Sequence, residues 1–186
     1  MDGLNRLARA ARAGDSASLN AFVEASYHQV WRFCAGLVDP ASADDLAQET
    51  FARAVRALSG YRGDSAARTW LLGIARHVCM DHHRAHIRHR ERGSSGVNSA
   101  FARQVDMPDA ASAVVAGDLL DRLDPQRRSA FVLTALVGLS YAEAAQVCEC
   151  PVGTIRSRVA RARAEMVGWL AAAGEVSPGR RESLPS

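Results

Sequence analysis

Apolar residues recur every three or four positions along almost the whole chain and never alternate strictly, a pattern that predicts helices and no sheet. Leu19, Phe22, Val23, Val30, Phe33, Cys34 and Leu37 form one stripe, which predicts a helix from Ala17 to Val38 stopped by Asp39-Pro40. A second helix, from Ser42 to Leu58, would bury Ala47, Phe51, Ala54, Val55 and Leu58. The run Ser59 to Ala67 holds two glycines and reads as a loop. Trp70, Leu71, Ile74, Ala75 and Val78 then open a third helix that turns polar and basic toward Arg92.

From Gly93 to Ser112 the periodicity lapses into a stretch rich in Gly and Ser, as expected of a linker. The apolar signal returns with Val114, Val115, Leu119 and Leu123. Asp124-Pro125 has the chemistry of an N-cap followed by proline in the first turn, opening a helix that runs to Val137. Ser140 and Glu143 have capping-box spacing for a short helix, Tyr141 to Cys148. After the turn Glu149-Cys150-Pro151 a last helix is expected, from Pro151 or Val152 to Ala172. The expected fold is all-α: two small helical domains, 1–92 and 113–173, joined by a flexible linker, 93–112, with a disordered tail, 174–186. The C-terminal domain contains a helix-turn-helix.

Composition narrows the function classes. The chain has 186 residues, 48% hydrophobic and 23% charged, which suits one ordinary domain or two small ones and excludes a large multidomain enzyme. All 23 basic residues are Arg, against 20 acidic ones. Arginine carries a planar fork of donors matched to phosphates and guanine edges, where lysine offers a point charge. Neither a membrane-length apolar run nor a secretory h-region is present, so a cytoplasmic protein without membrane contact of its own is expected. Cys34, Cys79, Cys148 and Cys150 form no CxxC pair and read first as buried apolar residues; a redox pair of Cys148 and Cys150 is the alternative.

Candidate chemistry concentrates in three places. The last helix follows a capped helix and a tight turn, and its outer positions are crowded with Arg156, Ser157, Arg158, Arg161 and Arg163. Val152, Ile155, Val159, Ala162 and Met166 are expected to line its inner face. A helix beginning with Thr154, Arg156 and Ser157 can enter a major groove, with some donors on base edges and others on phosphates. A solvated arginine face on a structural helix is the alternative. Upstream, Asp44, Asp45, Gln48 and Glu49 form an acidic, hydrogen-bonding face opposite Phe51, suited to a basic helical partner, or else an acidic first turn that complements the helix dipole. Between these lies the loop at Tyr61, Arg62, Gly63, Asp64 and Ser65. Its glycine permits close approach of a nucleotide, and Tyr61, Arg62 and the following arginines can hold a single strand by stacking and charge. Trp70 falls on the apolar stripe and reads as core.

These residues resemble the extracytoplasmic-function sigma factors of bacterial RNA polymerase, over nearly the whole span from Ala17 to Leu170. Gly138 to Glu143 with Cys150 to Arg158, followed by Arg161-Ala162-Arg163, is similar to the family's minus-thirty-five recognition segment. Thr154, Arg156, Ser157, Arg158, Ala160, Arg161 and Arg163 are its candidate DNA contacts. Ala43 to Phe51 looks like the segment that grips the clamp helices of the largest polymerase subunit, which implies core binding by Asp44, Asp45, Leu46, Gln48, Glu49 and Phe51. Tyr61 to Ala66 with Thr69-Trp70-Leu71 and Ile74 to His77 is similar to the minus-ten region. That implies Tyr61, Arg62, Gly63, Asp64, Ser65, Arg76 and His77 at an unstacked base, with Arg84 and Arg88 along the phosphates. The family often carries Asn where His77 stands. The resemblance further implies no catalytic activity and no cofactor. Its implied partners are core RNA polymerase (clamp helices and flap region), promoter DNA and an anti-sigma factor.

The histidine-rich run from His77 to His89 supports a different reading. Asp81-His82-His83 spells a phosphoesterase signature, and Cys79 with His83, or His82 with His86, has helical metal-ligand spacing. The phosphoesterase needs a sheet and further aspartates that the pattern lacks, and a closed zinc site draws on more than one helix. Neither a catalytic nor a metal residue is therefore assigned. An autonomous helix-turn-helix regulator, and a pure interaction protein that binds polymerase without redirecting it, are the remaining alternative functions.

Overall fold

A computed structural model describes residues 2–91 and 110–175. Within them eight helices follow one another: α1 (Asp2–Arg12), α2 (Ser16–Leu37), α3 (Pro40–Ala57), α4 (Ala67–Glu91), α5 (Ala110–Arg122), α6 (Pro125–Phe131), α7 (Tyr141–Cys148) and α8 (Val152–Glu175). No strand occurs among the described residues.

Caps set where the helices begin. Asp15 accepts from Ala17 N at 3.0 Å, which starts α2 at Ser16. Asp39 accepts from Ser42 N at 2.8 Å with Pro40 in the first turn, so α3 starts two residues before the expected Ser42. Asp124 and Pro125 repeat the device at α6. Ser140 and Glu143 complete the capping box on α7, Ser140 N donating to Glu143 Oε2 at 2.8 Å.

Four expectations are corrected. Asp2 to Arg12, where no element was expected, forms a helix with Ala8 and Ala11 buried. The helix from Pro125 does not continue evenly to Val137: after Phe131 it widens into a π-helical turn, Val132–Leu136, with Val137 N bonded to Val132 O at 2.9 Å. Val55 and Val152, expected on inner faces, are both exposed. Helix α5 begins at Ala110, inside the expected linker, and α8 runs through Glu175, inside the expected tail; the remainder of those two segments lies outside the described residues.

Phe22, Val30, Phe33, Leu71 and Leu72 anchor the core of the first unit, and Leu133, Val147, Ile155 and Val159 that of the second. The units dock on one another through the C-terminal turn of α2, α4 and the α6–α7 segment. At Gly36 the chain has no Cβ, and Val132 fills the space: a Cβ there would lie 2.8 Å from Val132 Cγ1. Arg128, its side chain 11% exposed, donates to Gly36 O at 2.7 Å and Val38 O at 3.0 Å, and pairs with Asp121 at 2.7 Å. It thereby serves carbonyls that α2 leaves open at its end. Arg68 of α4 donates to Val137 O at 2.6 Å.

Candidate functional site

The acidic face stands on α3. Asp44, Asp45 and Gln48 are exposed and Glu49 is half-buried. Leu46 and Phe51 are buried, and Phe51 stacks on Tyr27 at 5.9 Å, so these two hold the face from beneath and present no surface to a partner. Tyr27 donates to Asp44 Oδ1 at 2.9 Å. Arg53 holds Glu49 at 2.7 Å and Asp81 of α4 at 2.9 Å, and its hydrogen bond draws the Asp81 carboxyl below the usual range. Asp45 and Gln48 carry no internal hydrogen bond or ion pair among the described residues and stand ready for an external donor.

The loop before α4 is built differently from its sequence reading. Tyr61 is 3% exposed: its ring packs on Trp70 at 5.0 Å and its hydroxyl donates to Ser65 O at 3.0 Å. Burial raises its pKa, and it is a pillar of the loop that offers no face to a base. Arg62 and Asp64 project into solvent, 82% and 81% exposed, in a loose pair at 3.5 Å. Gly63 has φ +81°, a conformation glycine adopts without strain, and a Cβ there would meet the Arg9 guanidinium at 3.3 Å. Helix α1 braces the loop further: Asn5 Oδ1 accepts from Ala67 N at 2.7 Å, capping α4, and Arg12 Nη1 donates to Tyr61 O at 3.1 Å. Asn5, Arg9 and Arg12 were not among the sequence candidates. The signal was there, in Leu4, Leu7, Ala8 and Ala11 at helical spacing opposite three arginines.

On α4, His77 is exposed, with Nδ1 2.8 Å from Gly73 O and Nε2 3.7 Å from Glu149 Oε1 in the turn of the second unit. Arg76 and Arg84 line a cleft of about 370 Å³ between α4 and α6, together with Leu37, Met80, His83 and Arg128. Arg84 also lies 3.6 Å from Asp81. Burial lowers the pKa of His83. Arg88 is exposed farther along the helix. The docked units thus bring His77, Arg76 and Arg84 against the second unit.

The helix-turn-helix consists of α7, the turn and α8. Glu149 takes the left-handed conformation, φ 53°, that ends α7, and its N–H bonds to Ala145 O and Gln146 O. Ile155, Val159 and Ala162 are buried, while Arg156, Ser157, Ala160, Arg161 and Arg163 are exposed. Arg156, Arg161 and Arg163 form no ion pair among the described residues. Ser157 Oγ donates to Thr154 O at 3.0 Å. Arg158 differs from the expectation: it bonds to Gln126 of α6 and, at 3.5 Å, to Cys150 Sγ, so it ties α8 to the fold.

All four cysteines are free; Cys34, Cys79 and Cys148 are buried, and burial pushes the Cys148 thiol up to about 11. His82 and His86 stack at 6.4 Å, and among the described residues no group of three or more His, Cys, Asp or Glu side chains is gathered for a metal.

Residues 22–89 match the family described as Sigma-70 region 2, and residues 115–166 match Sigma-70, region 4. The chain is 48% identical to the ECF RNA polymerase sigma factor SigC of Mycobacterium tuberculosis over 164 residues, covering 87% of this chain and 88% of that protein. It is 33% identical to the ECF RNA polymerase sigma-E factor of Escherichia coli, covering 81% and 85%. Among solved structures, CnrH in complex with the cytosolic domain of CnrY is similar at TM-score 0.71 and 26% identity, covering 91% of this chain and 98% of that one. The sigma factor RpoE of Bartonella quintana, in complex with the anti-sigma factor NepR, is similar at TM-score 0.72 and 25% identity, covering 82% and 96%.

Proposed function

The chain belongs to the extracytoplasmic-function sigma factors of RNA polymerase, and on that premise we propose how its residues divide the work of promoter recognition. It directs core polymerase to promoters. The α3 face of Asp44, Asp45, Gln48 and Glu49 docks on a basic helical surface of the core enzyme. The loop around Arg62, Gly63 and Asp64, with Arg76 and His77 of α4, takes the unstacked base of the minus-ten element, and Arg84 and Arg88 follow its phosphates. Arg156, Ser157, Ala160 and Arg161 of α8 read the minus-thirty-five element, flanked by Thr154 and Arg163. The chain supplies no catalytic group, and polymerase carries out the chemistry. Its place of work is the cytoplasm; among the described residues no helix is long and apolar enough to cross a membrane.

The observation that carries this reading is the pairing of two separate surfaces in one chain. An acidic face lies on α3, and three arginines that pair with no acid among the described residues project from the second helix of a capped helix-turn-helix. Acidic and hydrogen-bonding groups favour a basic protein partner, and the arginines favour phosphates and guanine edges.

The docked state is a resting state in this reading. Glu149 sits beside His77, and the second unit covers the cleft that Arg76 and Arg84 line. The minus-ten face therefore opens only when the units separate. An anti-sigma partner of the kind seen on the Bartonella relative would act by holding them docked.

The test is transcription by the chain with core polymerase free of other sigma factors, on fragmented genomic DNA, with sequencing of the five-prime transcript ends. Reproducible starts sharing two spaced upstream elements are expected. Core binding with random starts would leave only a polymerase-binding regulator, and promoter binding without core would point to an autonomous regulator.

A further inference from the structure

Helix α1 presents a row of cations that core binding by α3 and promoter recognition by α4 and α8 do not use. Arg6, Arg9 and Arg12 follow one another at three-residue steps, within an arc of roughly 120° by the helical period, opposite the buried Ala8 and Ala11. All three are exposed, and none forms an ion pair among the described residues. The row is fixed against the Tyr61–Ala67 loop at two points, Asn5 on Ala67 N at 2.7 Å and Arg12 on Tyr61 O at 3.1 Å, and the Arg9 guanidinium lies over Gly63. The acid beside it in the loop, Asp64, faces Arg62 at 3.5 Å.

We propose that α1 is a phosphate-binding rail for the non-template strand, with Arg6 and Arg9 holding the backbone of nucleotides next to the base captured by the loop. The inference rests on reading that loop as the minus-ten site. Three exposed guanidiniums that pair with no acid among the described residues would repel one another, and a row so placed is stabilised when phosphates replace their counterions. Arg12 and Asn5 set the position of the rail, because their side chains are engaged with the loop backbone. Arg6 and Arg9 are the groups left to bind. A strand whose base has left the stack exposes its phosphates on both sides of that base, and α1 flanks the loop on one of them. Duplex DNA needs no such arrangement beside a base pocket.

The experiment uses holoenzyme on a bubble template whose minus-ten element is already open, and follows the binding constant as salt is raised. Each phosphate contact to single-stranded DNA contributes about 0.7 to the slope of log K against log salt. Arg6→Ala combined with Arg9→Ala is expected to lower that slope by about 1.4, while Arg6→Lys with Arg9→Lys retains it. A photocrosslinking side chain at position 6 is expected to label the non-template strand at or beside the minus-ten element. An unchanged slope in the alanine pair, or a crosslink to polymerase or template strand only, overturns the rail. If the wild-type holoenzyme starts transcripts accurately, such a result leaves the sigma reading intact. If the wild type neither binds core nor starts transcripts, the sigma reading falls and the rail falls with it.

Discussion

Gly36→Ala probes the docked arrangement with effects of opposite sign on two parts of the molecule. Within α2 the change replaces a poor helix former with the best one, a gain of about 0.5–1 kcal/mol that shrinks near the helix end. At the interface the new Cβ would lie 2.8 Å from Val132 Cγ1, 3.2 Å from Cγ2 and 3.4 Å from Leu136 Cδ1. Val132 is fully buried and has no room to retreat. Overpacking of this kind costs about 1–3 kcal/mol, all of it charged to docking. The ratio of separated to docked molecules should rise roughly 5- to 150-fold. Single-molecule energy transfer between dyes on azide-bearing residues at exposed positions 57 and 164 reads that ratio without touching the cysteines. Adding Val132→Ala removes the colliding methyls, so the double variant should dock better than the sum of the single effects allows, with a coupling of at least about 0.5 kcal/mol. A Gly36→Ala ratio within twofold of wild type, with overall stability raised, would show that only the helix had felt the change, and the close contact with Val132 would be refuted.

Three other substitutions test the local arguments. Asn5→Ala uncaps α4 and should cost about 1 kcal/mol in urea unfolding, whereas loss of an idle surface side chain would cost nothing measurable. Arg156→Ala should cost about 1–3 kcal/mol of promoter binding and relax preference at one minus-thirty-five base pair; a uniform loss across a promoter library would assign Arg156 to phosphate instead. Glu143 has its pKa lowered, chiefly by the Ser140 hydroxyl, so its contribution is present above the unfolded carboxylate pKa and fades as pH falls through the folded one. Ser140→Ala should therefore flatten the acid limb of the stability–pH curve, and an unaltered limb in pH-dependent urea melts would remove the capping box from the acid response.

The helices and their order were legible because the features that specify them are local. Phe22, Val30, Phe33 and Cys34 declare a stripe by spacing alone, and Asp124-Pro125 and Ser140 with Glu143 declare helix starts by chemistry. Tyr61 was misread for the opposite reason. Its ring is covered by Trp70, nine positions on, and its carbonyl is held by Arg12 of an unexpected helix, so nothing beside it in sequence reveals its burial. Arg158 is a similar case: it sits among arginines that face solvent, yet Gln126, thirty-two residues earlier, takes its guanidinium. Docking was hidden altogether. It relies on backbone carbonyls at Gly36, Val38 and Val137, which leave no mark on side-chain pattern.

That choice of partners has a consequence for how the molecule responds to its surroundings. The principal polar contacts between the units run from guanidinium to carbonyl at Arg68 and Arg128, and Arg128 is nearly out of water; added salt screens such buried contacts weakly. The His77–Glu149 approach is half-exposed and too long, at 3.7 Å, to add much. Promoter binding is different, because each phosphate held by arginine releases counterions and the affinity falls steeply with salt. On the site assignment proposed above, docking and DNA binding compete for the same face of α4, yet they answer to different variables. In that scheme ionic strength governs how tightly an opened molecule holds DNA, while shape at Gly36 and Val132 governs how often it opens. A partner that regulates this sigma factor therefore gains most by acting on the docked interface, where a small steric change shifts the population and leaves the arginines proposed for DNA binding intact.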